Sequence, residues 1–118
     1  MSLSHYTIAQ WIYRQLHGVG VDCYSFYAEE PVGDFAVYDN ISISYDSSKD
    51  GCAVLGASFR VTCVAKTFAA VNQMAAQVTD TMLGASLEDF EVYVTSSTSS
   101  RSESTANQYI IELNFNLI

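Results

Sequence analysis

Two segments of the chain repeat their apolar residues every three or four positions, which is the spacing of an amphipathic helix. The first lies between Ser4, a candidate N-cap, and Gly18, a stop signal, and its repeating residues are Ile8, Trp11, Ile12 and Leu16. The second is predicted over residues 67–83 and ends at Gly84. Its repeating residues are Phe68, Val71, Ala75, Val78 and Met82.

Four other segments alternate apolar and polar residues with a period of two, which predicts strands with one buried face. They cover residues 35–46, residues 52–66, a stretch that begins near Phe90, and residues 108–118. In the first strand Asp39 interrupts the apolar series, and Tyr38 falls on the opposite, polar face. The second strand is expected to bury Leu55, Phe59, Val61, Cys63 and Ala65. A weaker strand is expected between residues 21 and 27.

The order of these elements is α-β-β-β-α-β-β, and each clear strand has a single apolar face. Parallel sheets that are buried on both sides do not show such a pattern. The sequence therefore predicts one α+β domain over residues 1–118, a two-layer sandwich. Its sheet is expected to be mainly antiparallel, with four or five strands and two helices packed on one face. Residues 95–107, rich in Ser and Thr, are predicted to be a flexible hairpin loop, and residues 1–3 are set aside as a candidate vector remnant.

Composition and charge narrow the function classes. The 118 residues include 13 acidic and only 5 basic side chains, a net charge of −8 at pH 7. This balance argues against nonspecific binding to nucleic acid and against docking on an anionic membrane. No apolar run reaches the roughly 18 residues of a membrane-spanning helix. The first residues lack a basic stretch followed by an apolar core, so no secretory signal is expected.

No motif in the sequence predicts a catalytic, cofactor or metal site. The three cysteines form no CxxC pair, and Gly18-Val19-Gly20 lacks the third glycine of a phosphate loop. The segment 46–51 resembles the opening of a calcium loop, but Ala57 stands where the bidentate Glu is needed. Seven of the 13 carboxylates lie between residues 22 and 50. They form either a solvated surface or a rim that faces a partner.

Several features in series carry a resemblance to a known family. A first helix contains Ile12-Tyr13-Arg14-Gln15-Leu16, and a Pro-containing loop at 31–34 leads into Phe35-Ala36-Val37-Tyr38. An acidic turn at 46–51 precedes a long alternating strand, an Ala-rich helix, a polar hairpin loop and a final alternating strand. In this order the chain resembles the small tail terminator, or tail completion, proteins of long-tailed bacteriophages and prophages. Ala36 departs from the Pro that commonly follows the Phe in that family.

The resemblance implies a structural, non-enzymatic role without a cofactor. Such proteins form rings, commonly hexamers, that cap a finished tail tube and stop its polymerisation. The ring then offers a surface to the connector proteins of the head neck, and DNA passes through its lumen without specific binding. The expected location is the virion tail or neck, and the bacterial host cytoplasm during assembly.

Three regions are expected to make assembly contacts, because their strand faces or long loops have no expected packing partner within the chain. They are the polar sheet face, the acidic turn and the Ser-rich loop. An ordinary solvated surface is the alternative for each. The residues concerned are Tyr38, Arg60, Thr62, Asp46, Asp50, Arg101 and Glu103.

Two other function classes remain open from the sequence. An acidic immunity or adaptor protein would be monomeric alone and would bind a basic partner. A small ligand-binding α+β enzyme would need a pocket between helix and sheet with polar groups inside it. A buried Asp39 with a raised pKa would favour the enzyme.

Overall fold

The computed structural model describes residues 3–26, 33–48, 51–102 and 108–118. Within these ranges the chain forms two helices and six strands. The helices are α1 (His5–Gly18) and α2 (Phe68–Leu83). The strands are β1 (Cys23–Ser25), β2 (Phe35–Ser48), β3 (Gly51–Ala65), β4 (Ser86–Leu87), β5 (Phe90–Ser102) and β6 (Gln108–Leu117).

Both helices begin at the residues that the sequence predicts. The Ser4 hydroxyl accepts a hydrogen bond from the Thr7 N–H at 3.1 Å, and the Thr67 hydroxyl accepts one from the Ala70 N–H at 3.1 Å. These caps satisfy backbone donors that the first helical turn leaves unpaired. The predicted apolar faces are confirmed, because the buried residues are Ile8, Trp11, Ile12 and Leu16 in α1 and Val71, Ala75, Val78 and Met82 in α2. Phe68 is exposed.

The six strands form a mixed sheet in the order β1-β2-β3-β6-β5-β4. Strand β1 runs parallel to β2, and the other neighbours are antiparallel. The prediction of an α+β fold is confirmed, but the prediction of four or five mainly antiparallel strands is incomplete. Strand β1 has three residues and lies within the weaker strand that is expected between residues 21 and 27, whereas β4 has two residues and is too short to show a period of two in the sequence.

A β-bulge in β2 corrects the predicted position of Tyr38. Between Asp39 and Ser42 the strand has one residue more than its partner β3, and Asn40 has a φ of 55°. An extra residue exchanges the two faces of a strand. Before the bulge Tyr38 therefore faces the helices and is 6% exposed, whereas after it Ile43 packs against the core. Asp39, which interrupts the apolar series in the sequence, lies on the solvent face.

The Ser-rich segment is a strand over most of its length. Residues 95–102 belong to β5 and pair with β6 as far as Ser102 and Gln108, although composition predicts a loop there. Strand β6 alternates strongly and is held by β3, so its other edge offers N–H and C=O groups to any facing segment. Ser and Thr residues can adopt this extended conformation, although their side chains bury little apolar surface. Residues 103–107 lie outside the described residues.

The core lies between the two helices and the helix-facing side of the sheet. Phe59 stacks on Phe115, with ring centroids 5.2 Å apart, and meets Trp11 edge to face at 5.9 Å. The buried Trp11 Nε1–H has no acceptor among the described residues. Leu3 is also buried in this core, although its place in the sequence suggests a vector remnant.

The hairpin of β2 and β3 extends past the rest of the sheet. Strand β6 pairs with β3 only from Ala57 onward, so residues 44–48 and 51–56 pair with each other alone. We call these residues the arm. A second register shift, after Ser44, leaves Leu55 exposed rather than buried as its spacing predicts. The arm contributes to an elongated shape of 54 × 26 × 24 Å.

Candidate interaction surfaces

The solvent face of the sheet carries an ion cluster that spans three neighbouring strands. The Arg60 guanidinium on β3 binds the Asp39 carboxylate on β2 through two hydrogen bonds of 2.8 Å each. Its Nη1 also lies 3.5 Å from Oε1 of Glu112 on β6. The hydrogen bonds that Arg60 donates to the Asp39 carboxylate raise the pKa of Arg60 above its ordinary value. One positive charge thus faces two negative charges.

The cluster shows where several of the predicted contact residues lie. Arg60 lies on the solvent face as predicted, and Thr62 lies two residues further along the same strand face. The enzyme alternative needs Asp39 inside the helix–sheet layer, and the structure instead pairs it with Arg60 on the other side. A partly exposed ion pair of this kind contributes about 1 kcal/mol or less to folding.

On the opposite side of the sheet, Tyr38 closes the floor of a groove between α1 and the edge strand β1. Burial raises the pKa of its phenol above the ordinary value. The groove has a volume of about 510 Å³. Its lining residues are His5, Tyr6, Ala9, Gln10, Tyr13, Arg14, Ser25, Phe26 and Tyr38.

Aromatic rings form the rim of this groove. Tyr6 is 72% exposed and Phe26 is 61% exposed. The Gln10 amide donates a hydrogen bond of 2.7 Å to the Tyr6 hydroxyl. Phe26, directly after β1, has a φ of 62°, a strained conformation for a residue with a side chain. Its N–H donates a hydrogen bond of 2.9 Å to the Tyr38 carbonyl, which holds it in place. The sequence contains a signal for this rim, because Tyr6 and Tyr13 are seven residues apart and share one helix face.

The acidic turn is shorter than the sequence predicts. Asp46 belongs to strand β2, where it pairs with Ala53, and its side chain is exposed on the arm. Asp50 lies outside the described residues. The predicted contact region at this end of the sheet is therefore the side of a two-stranded arm.

Arg101 lies at the other end of the sheet. It pairs with Tyr109 of β6, and its guanidinium carbon is 6.0 Å from the centre of the Tyr109 ring, a cation–π distance. The Tyr109 ring in turn meets Phe68 of α2 at 5.8 Å. Glu103 lies outside the described residues. The structure thus keeps the predicted regions apart, with Asp46, Arg60 and Arg101 on three separate parts of the surface.

The two thiols that the structure describes, Cys23 and Cys63, are placed where nucleophilic chemistry is disfavoured. Burial raises the pKa of Cys63 to about 12 and that of Cys23 to about 11, so both stay protonated at neutral pH. Among the described residues, no group of three or more His, Cys, Asp and Glu side chains is placed to hold a metal ion. In the same part of the chain neither helix has the length and apolar character that a membrane span requires.

Comparison with known proteins identifies the fold. No family model and no curated protein matches the chain. Among solved structures, a chain in the virion of a native gene transfer agent (GTA) particle is similar, with a TM-score of 0.68 and 24% identity. The match covers 90% of this chain and 89% of that one. The two proteins share a fold.

A second solved chain is also similar to this protein. The match has a TM-score of 0.59 and 12% identity, and it covers 99% of this chain and 97% of the other. At these identities the likenesses describe the fold and not the residues of a site.

Proposed function

We propose that this chain is a structural protein of a phage or phage-derived virion. The observation that supports this proposal is the fold shared with a chain of the gene transfer agent virion, at a TM-score of 0.68. The match covers about nine tenths of both chains, so it concerns the whole domain and not one common supersecondary motif.

Within the virion we propose the role of tail terminator, in agreement with the family that the order of elements resembles. Copies of the chain form a ring, commonly of six, that caps the tail tube and presents a surface to the connector proteins of the neck. The role is structural and needs no catalytic group, cofactor or membrane. The location is the tail or neck of the virion, after assembly in the bacterial cytoplasm.

The geometry of the sheet suits such an assembly. A ring needs two different surfaces that fit each other on neighbouring copies. Strand β4 pairs only with Phe90 and Glu91, and β1 pairs only with residues 36–38 of β2. The outer edges of β5 and β2 beyond these points have no strand partner in the described ranges, and such edges readily take part in contacts with another chain. The partly exposed Glu112, Asp46 and Arg101 add polar contacts in our proposal.

The charge of the chain suits a lumen that DNA crosses. A net charge of −8 per copy gives the ring an acidic character. Binding to the DNA backbone requires cationic groups that release its counterions, and this chain has few of them. DNA would therefore slide past the ring without being retained.

Native mass spectrometry over a range of concentrations tests the proposal, together with electron microscopy of purified tail tubes mixed with the protein. We expect a closed ring, free in solution or at one end of each tube, and tubes that stop growing when the protein is added. A protein that stays monomeric at every concentration, leaves tube ends bare and does not change tube growth would contradict the proposed function.

A further inference from the structure

The arm carries two large apolar side chains that remain more than half exposed in the described structure. Tyr45 is 53% exposed and Leu55 is 57% exposed. Among the described side chains of the arm, Asp46 is the only charged one. The arm therefore presents two large apolar groups and a negative charge on a two-stranded support.

The groove at α1 also exposes large aromatic groups, but its charge is opposite to that of the arm. Its rim offers the exposed rings of Tyr6 and Phe26, and among the described residues that line it Arg14 is a cation and none carries a carboxylate. Arg14 forms no ion pair with any described residue. In a chain with 13 acidic and 5 basic residues, such an arginine beside an aromatic groove is a local reversal of charge.

We propose that the groove of one copy binds the arm of a second copy. Tyr45 and Leu55 pack on the rings of the groove, and Asp46, which points to the opposite face of the arm from Tyr45, pairs with Arg14 at the rim. The inference rests on the proposed ring-forming function and names the interface that builds the ring. It is an interface between two different surfaces, so each copy gives its arm to one neighbour and receives an arm from the other.

The arm cannot reach the groove of its own molecule. Tyr45 lies seven residues beyond Tyr38 on the same strand, which at about 3.3 Å per residue places it roughly 20 Å away from the groove floor. The strand is paired to β3 throughout this stretch, apart from the bulge, and cannot fold back. Charge favours a second copy as the occupant, because the acidic arm and the cationic groove attract each other although the two molecules repel overall.

Two variants that each remove one half of the interface provide the main test. Leu55→Glu adds a charge to the arm, and Tyr6→Glu adds one to the groove. Both positions are exposed, so both variants should fold. Leu83→Glu, at an exposed leucine that ends α2 and belongs neither to the arm nor to the lining of the groove, is the matched control. We expect each test variant to lose ring assembly in native mass spectrometry, alone or on tube ends, and the control to assemble as the unmodified protein does.

An equal mixture of the two variants distinguishes the loss of this interface from misfolding of either variant. The Tyr6→Glu copy keeps a working arm and the Leu55→Glu copy keeps a working groove, so a single contact per pair can form. We expect a heterodimer and nothing larger. A mixture that remains monomeric, or that forms complete rings, would overturn the inference.

Charge exchange tests the ion pair. Arg14→Asp and Asp46→Arg should each raise the concentration needed for assembly about tenfold, because each places like charges together. A chain that carries both substitutions restores opposite charges across the interface and should recover most of the loss. Recovery no better than that of the single variants would overturn the pairing of these residues.

The outcomes separate this inference from the proposed function. If the unmodified protein forms rings and both Leu55→Glu and Tyr6→Glu assemble like Leu83→Glu, the interface is wrong and the ring function stands. If the unmodified protein forms no ring in solution and binds no tube ends, the function itself fails, and the arm-in-groove contact fails with it.

Discussion

The two halves of strand β3 belong to one continuous strand but have different surroundings. Residues 57–65 lie between β2 and β6 and are covered by the helices, whereas residues 51–56 pair with β2 alone. Residues 57–65 bury Phe59, Val61 and Cys63, whereas residues 51–56 leave Leu55 exposed. A two-stranded hairpin is at best marginally stable by itself. The arm therefore depends on the packed half for its stability, while the packed half does not need the arm.

Substitution of one apolar residue in each half should give the largest difference. Phe59→Ala removes a ring that contacts both Trp11 and Phe115, so we expect the free energy of unfolding to fall by about 3–5 kcal/mol. Leu55→Ala should change it by about 0.5 kcal/mol or less. Urea unfolding followed by the fluorescence of Trp11, the single tryptophan, measures both. Equal losses in the two variants would contradict the division of β3.

The junction between the halves should be the next most sensitive place. At Gly56 an added Cβ would overlap the backbone carbonyl of Leu117, and neither backbone can move freely. We expect Gly56→Ala to cost about 1–3 kcal/mol. Gly18→Ala is the matched control, since a Cβ there meets open space at the end of α1 and alanine favours a helix. Thermal unfolding of the two variants should therefore shift in opposite directions, and identical midpoints would show that the strands can separate at this point.

The burial of Cys63 makes the packed half sensitive to alkaline pH. Its thiol has a pKa of about 12 in the fold against 9.0 when exposed, because burial penalises the thiolate. The unfolded chain therefore loses this proton first, and the stability that is present below pH 9 is lost as the pH rises toward 12. The slope should be up to about 1.4 kcal/mol per pH unit for this group, with Cys23 and Tyr38 acting in the same direction.

Unfolding measurements between pH 8 and 11 on two variants isolate this contribution. Cys63→Ala should give a shallower decline of stability with pH, even though its stability at neutral pH is lower. Leu55→Ala, in the arm, should keep the full slope. A decline that is unchanged in Cys63→Ala would mean that the thiol is not protected in the fold.

The sequence predicts the packed half better than the arm, for physical reasons. Where both neighbours and a helix surround a strand, burial forces a strict alternation, and Phe59, Val61 and Cys63 show it. The bulge at Asn40 and the shift near Leu55 depend on pairing between strands, and a local pattern cannot show which face follows them. The alternation therefore assigns Tyr38 to the wrong face.

The candidate surfaces are predictable only in part. The solvent-facing position of Arg60 can be predicted because the residues around it alternate regularly. The position of its partner Asp39 on the same face can be assigned only when the bulge in β2 is known. The Ser-rich segment is predicted as a loop because composition does not record the strand that it faces. The groove combines α1 with Phe26 and Tyr38, which are brought together by the parallel pairing of β1. That pairing involves three residues and leaves no pattern in the sequence.

Charge reversal should have the smallest effect on folding and a larger one on assembly. Arg60→Glu replaces the cation of the ion cluster and brings three carboxylates together, so we expect a loss of about 1 kcal/mol in unfolding free energy. Arg101→Glu removes only a cation–π contact with Tyr109 and should cost about 0.5 kcal/mol. Both should weaken ring formation if the sheet face and the β5 end contact neighbouring copies.

Arg60→Gln separates the two effects, because it removes the charge without adding repulsion between carboxylates. Native mass spectrometry of all three variants beside their urea unfolding curves compares assembly with stability. Ring formation that falls in proportion to stability would assign Arg60 to the fold alone. A ring that weakens in Arg101→Glu, where folding barely changes, would place the β5 end in a contact between copies. Unchanged assembly in both reversals would leave the arm and the groove as the surfaces on which the ring depends.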